Sequence, residues 1–136
     1  MNREDALDQL VQHEGLKLKP YHCTAGKLTI GVGRNLDDVG ISVDEAMLML
    51  DNDVTTAENE LRSRFPIVQN IDGARYWALV NMAFNMGIGR LAQFRNMWAA
   101  IGDGDWNRAA DEALDSIWAK QVGKRAHDIT EMLRNN

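Results

Sequence analysis

Residues 13 to 34, HEGLKLKPYHCTAGKLTIGVGR, gather one glutamate, the single cysteine, two histidines and four glycines into the most unusual stretch of the chain. Cleaving an acetal needs a proton donor for the departing oxygen, and groups on the opposite face of the sugar that position water or stabilise positive charge. Glu14 could supply the proton if it sits at a helix end facing a hairpin. Were it shielded by apolar neighbours, desolvation would raise its pKa and keep it protonated near neutrality. Spacing alone leaves the reaction open, because a glutamate before a glycine is also an ordinary solvated helix end.

Cys23 supports other readings. With His22, His13 or His127 it could form the thiol–imidazole pair of a cysteine peptidase or amidase. Adjacent side chains in a strand point to opposite faces, however, and no third orienting residue stands out by spacing. One cysteine and three scattered histidines also lack the paired spacing of a zinc site. Neither a metal nor another cofactor is expected.

The elements that must position these residues follow from periodicity. Ala6, Leu7, Leu10 and Val11 recur at helical spacing, and Asn2 with Asp5 offers a cap, so a helix is predicted from about residue 3 to 13. Its period carries the next inward position to Glu14, and Gly15 suits a left-handed helix terminus. Leu28, Ile30 and Val32 alternate with Thr29 and Gly31, which predicts a small twisted hairpin or sheet.

Ser42 and Glu45 match a capping box, and Ala46, Met47, Leu50, Val54, Ala57 and Leu61 carry a helical stripe as far as Phe65-Pro66. Ala74 to Met86 is apolar on nearly every face, which predicts a helix buried all round. Shorter amphipathic stretches follow around Phe94 to Ile101, Trp106 to Trp118 and Arg125 to Leu133, with glycines between them.

A length of 136 residues with 45% hydrophobic and 26% charged residues fits one globular domain with a real core. The net charge of -5 argues against nucleic acid and against broad attraction to anionic surfaces. A lone cysteine excludes an internal disulfide and is compatible with synthesis in a reducing compartment. No apolar run suits a membrane span, and the charged opening MNREDALDQL is not a signal peptide.

Glu14, Cys23 and Thr29, nine and six positions apart, resemble the motif of the phage-type (T4-like) lysozyme and endolysin family, glycoside hydrolase family 24: glutamate, then aspartate or cysteine, then threonine. Blocks in family order extend the resemblance over nearly the whole chain: EGLKLKPY, LTIGVGRNL, DEAMLMLDNDV, NMAFNMG, Phe94, Trp106 with AADEAL, and Trp118 to Arg125-Ala126. The segment Asn35 to Ser42 looks trimmed relative to the best-known member.

The resemblance implies an α+β, mainly α, two-lobed lysozyme-like fold over residues 1–136 as one domain. A small hairpin lobe (about 14–45), a connecting helix (about 43–64) and a helical lobe (about 65–136, joined by helix 3–13) would flank a cleft. It implies Glu14 as general acid, Cys23 in place of the commoner aspartate, and Thr29 holding the attacking water. Asn35, Phe84 and Asn85 would bind substrate, and Arg125 would support Glu14. Met97 and Glu112 stand at two positions that contact substrate in the best-studied member, so polar contacts there are altered. Lys120 and Lys124 read as an ordinary basic helix face.

The activity so implied is hydrolysis of the β-1,4 bond between N-acetylmuramic acid and N-acetylglucosamine, with inversion. Inversion asks for a water-sized gap, on the order of 6.5–9.5 Å where two carboxyls flank the bond. The expected partner is the peptidoglycan glycan strand, met by a monomer that engages neither nucleic acid nor membrane. Synthesis in a host cytoplasm followed by release through a separate holin pore is the expected route to the wall. A non-catalytic glycan-binding module and a lytic transglycosylase are the alternatives, Thr29 tilting the choice towards hydrolysis.

Overall fold

The computed structural model describes residues 1–135. Helix α1 (Arg3–Glu14) starts at the cap expected: the Asn2 side chain accepts from the Asp5 N–H at 2.9 Å, and the Asp5 carboxylate accepts from the Asn2 N–H at 3.2 Å. It stops at Gly15, whose N–H donates to the Val11 carbonyl at 2.8 Å. At φ 80 and ψ 163, Gly15 is extended rather than in the left-handed helical turn that was expected, and this region is open essentially to glycine alone.

Beyond Gly15 the chain forms an antiparallel sheet in the order β1 (Lys17–His22), β2 (Leu28–Gly31), β3 (Arg34–Asn35). Tyr21 pairs with Thr29 and His22 with Leu28, but the register slips between Lys17 and Tyr21. Pro20 lies in that slip, on an edge strand, where its missing N–H breaks the ladder at least cost. Helix α2 (Val43–Arg64) begins at the Ser42–Glu45 capping box, with bonds of 2.9 and 3.1 Å.

Arg34 fastens the short loop between β3 and α2, donating to the Gly40 carbonyl at 3.1 Å and to Glu45 at 2.8 Å. Arg34 first, then the Ser42 bonds, hold the Glu45 carboxyl down at about 2, from its ordinary 4.5. A carboxylate depressed by folding adds stability above its unfolded pKa and loses it as pH falls through the folded one. The start of α2 is therefore expected to loosen between about pH 4.5 and 2. Amide protection at residues 42 to 46, relative to intrinsic exchange at each pH, should fall through that window in the native chain and be flat across it in Glu45→Gln. A wild-type profile without that step would refute the assignment.

The chain groups into two units, Met1–Leu48 and the residues from Met49 onward, and α2 crosses the boundary in sequence. In the first unit Thr29 is the one fully buried side chain. Leu7 and Leu10 are each 50% exposed, so the apolar stripe of α1 is not covered as expected. One helix and three short strands offer too little surface to enclose a core.

The second unit holds the apolar core. After a 3-10 turn (Pro66–Asn70) come α3 (Gly73–Met86), α4 (Ile88–Leu91), α5 (Arg95–Gly102), α6 (Trp106–Leu114), α7 (Ile117–Val122) and α8 (Lys124–Arg134). Helix α6 turns Ala109, Ala110 and Ala113 inward, where small side chains let it lie close to α5 and α8. Leu79, Met82, Leu91, Met97, Trp118, Ile129 and Leu133 fill the space between helices.

Helix α3 is not buried all round. It covers Tyr76, Ala78, Leu79, Val80, Met82 and Ala83, while Trp77 and Phe84 stand 49% and 45% exposed. An apolar run without a period does not say which of its faces meets neighbours, and here α4 and α8 cover one side only.

Candidate active site

Glu14 is the last residue of α1, and its carboxyl is exposed, not shielded by apolar neighbours. The chain returns to it through the turn Gly31-Val32-Gly33 between β2 and β3, where Gly33 comes up against the Glu14 side chain. Strand β2 carries Thr29, and the loop before β2 carries Cys23. One small sheet thus connects all three residues of the motif.

The loop from Cys23 to Lys27 closes on itself. The Cys23 N–H donates to the Lys27 carbonyl at 2.9 Å, and the Gly26 N–H donates to the Cys23 carbonyl at 2.8 Å. The Lys27 amide first and then that of Ala25 pull the Cys23 thiol below its ordinary range, against a smaller upward push from burial. The shift is in the direction of the thiolate.

Thr29 is 4% exposed, and its hydroxyl donates to the Lys27 carbonyl at 2.8 Å. The same hydroxyl contributes weakly to the lowered thiol. A hydroxyl has one proton and cannot serve both partners at once, so the backbone amides carry the effect on Cys23. With its proton given to Lys27, the Thr29 oxygen is an acceptor, suited to a donated water proton.

Asn35 is on β3, paired with Thr29, but its amide is occupied: it donates to Asp38 at 2.9 Å and accepts from the Asp38 N–H at 3.0 Å. Asp37 and Asp38 also bind the Leu28 N–H at 2.7 Å and the Lys27 ammonium at 3.2 Å. Asn35 thus helps fix the hairpin that presents Thr29.

The remaining expected residues belong to the second unit. Asn85 is exposed, and its carbonyl accepts from the Trp118 indole at 2.7 Å, which turns its NH2 outward as a donor. Arg125 gives two bonds to the Asn81 carbonyl, at 3.1 and 2.7 Å. Arg125, Asn81 and Phe84 share a groove of about 380 Å³ with Leu50, Val54 and Trp77. Met97 is buried at 1% exposure, and with Glu112 it borders a recess of about 290 Å³ beside Trp118. Lys124 lies 3.8 Å from Asp128 on an exposed helix face, as the ordinary reading expects.

Gly33, Arg34, Asp37, Asp38 and Asn81 are additions to the expected set. Arg34 and Gly33 could have been suspected from the GVGR run, whereas the Asn81 contact spans 44 residues and leaves no local signal. Among the described residues no group of three or more histidine, cysteine or acidic side chains could hold a metal ion. No helix there is long and apolar enough to cross a membrane.

A small antiparallel sheet that links an acid, a thiol and a threonine, in a chain otherwise made of helices, is a lysozyme-like α+β fold. The chain belongs to the phage lysozyme family, whose sequence profile matches residues 11–134. It is 30% identical over 154 aligned positions to the pre-baseplate central spike protein Gp5 of Enterobacteria phage T4, covering 93% of this chain and 27% of that protein. It is 29% identical to probable T4-type lysozyme 2 of Dictyostelium discoideum, over 90% of this chain and 89% of the other. An endolysin of Acyrthosiphon pisum secondary endosymbiont phage 1 is 31% identical over 90% of this chain and 84% of its own length.

Proposed function

We infer that the chain is a peptidoglycan hydrolase of the muramidase kind, cutting the β-1,4 bond between N-acetylmuramic acid and N-acetylglucosamine. One observation supports this reading above others: the turn of one small sheet meets Glu14, and the same sheet carries the buried Thr29 and closes the loop that bears Cys23. Glu14 protonates the leaving oxygen as the glycosidic C–O bond breaks. Thr29 accepts a hydrogen bond from a water molecule, whose oxygen keeps that proton as it bonds to the anomeric carbon, and Cys23, acting as a thiolate base, takes the other proton. Attack from the face opposite the leaving group inverts that carbon. Phe84 offers an apolar face to a sugar, and Asn85 offers its outward NH2.

Two of the relatives are named lysozyme and endolysin, which supports the wall as substrate, and the spike protein's name is compatible with action within a larger particle. Release through a separate holin pore and monomeric action remain part of the proposal.

Mass spectrometry of digested, purified sacculi tests the reaction. The expected products end in reducing N-acetylmuramic acid. Anhydromuramic ends would replace hydrolysis by transglycosylation, new amino groups would indicate a peptidase or amidase, and binding without cleavage would leave a glycan-binding module.

A further inference from the structure

We propose that Gly33 is a positioning residue for Glu14: its missing side chain is the space in which the acid's carboxyl is held. The inference rests on the muramidase reading. A Cβ built on Gly33 lies 3.3 Å from Glu14 Oε2, 3.8 Å from its Cδ and 3.9 Å from its Cβ. Within the first unit no side chain hydrogen-bonds to that carboxyl. The turn backbone is therefore the surface of the first unit against which this exposed acid rests.

Gly31, at the other end of the same turn, separates this role from simple backbone need. Gly31 has φ +70 and Gly33 has φ +72, so both use the left-handed region and alanine strains the chain at either place. A Cβ on Gly31 meets nothing within 4 Å. Alanine at the two positions thus carries a similar conformational cost, but only at position 33 does the new methyl press on the acid. Because Glu14 is the movable partner, the carboxyl shifts by a few tenths of an ångström and the turn keeps its shape. A displacement of about 1 Å in a reacting group costs about a hundredfold, so a smaller shift is expected to cost about tenfold in kcat.

The test compares Gly33→Ala, Gly31→Ala and Glu14→Gln in the full chain, with thermal unfolding and steady-state cleavage of soluble peptidoglycan fragments. The expected result is a similar loss of Tm in the two glycine variants, kcat about tenfold lower in Gly33→Ala than in Gly31→Ala, and KM within about twofold. Equal kcat in the two alanine variants, with Glu14→Gln inactive, overturns the positioning role and leaves the muramidase reading intact. An active Glu14→Gln overturns the reading itself. If Gly33→Ala does not fold, Gly33→Asn and Gly31→Asn replace the pair, since asparagine tolerates positive φ. Failure of both Gly33 variants beside folded Gly31 variants would make Gly33 purely structural and overturn the proposal.

Discussion

Glu14→Gln is expected to lower wall lysis by at least about 10²- to 10⁴-fold, the range associated with losing a general acid. The amide keeps the size and reach of the side chain but has no proton to give to a leaving oxygen. Glu14 is exposed at the end of α1, so stability should stay within about 0.5 kcal/mol of wild type. Far-ultraviolet dichroism and the melting temperature should match wild type while turbidity of a cell-wall suspension stops falling. This pairing matters because a helix-end mutant that merely unfolded would also stop lysis. Near-normal lysis by a folded Glu14→Gln protein would remove Glu14 from the chemistry, and with it the motif that gives Cys23 and Thr29 their roles.

What could be read from the residues follows how local the causes are. The starts of α1 and α2 rest on caps that lie three positions apart, and both caps close with the partners their spacing implies. Helix α2 runs to Arg64 because Pro66 cannot continue it. The family was legible because the spacing of Glu14, Cys23 and Thr29 is a motif that survives even where geometry does not show.

Other features depend on backbone groups or on distant partners. The backbone groups that lower the Cys23 thiol have no side-chain signature, so nothing in CTAGK announces them. Trp77 and Phe84 lie in a run of apolar residues, and only the arrangement of α4 and α8 decides that both remain exposed. Asn35 has the chemistry of a sugar-binding amide, and Asp38, three residues on, bonds to both its nitrogen and its oxygen, a contact that the residue type alone does not announce. An amide's identity announces what it can bond, not which neighbour reaches it first.

Trp118→Ala is expected to be the most damaging core substitution, at about 3–5 kcal/mol. The indole is 2% exposed, it packs edge-on to Phe94 with centroids 6.2 Å apart, and its N–H holds Asn85 at 2.7 Å. Truncation opens a cavity against the core and leaves the Asn85 amide free to rotate, so it couples stability to one proposed sugar contact. Against a total of about 5–15 kcal/mol for a typical domain, such a loss is a large share of the folded state's margin. Trp118→Phe separates the two effects: it keeps most of the ring and loses the donor. Because Asn85 is exposed and water can replace the indole, that variant should cost only about 1 kcal/mol from the hydrogen bond, plus a smaller cavity term. If Asn85 binds substrate with its NH2 fixed outward, Trp118→Phe should raise KM more than it lowers kcat. Urea unfolding and initial rates on the two proteins give all three quantities. A Trp118→Ala protein less than about 1 kcal/mol below wild type would show that the indole does not hold the core together, a cost well below the range for deleting a buried aromatic ring.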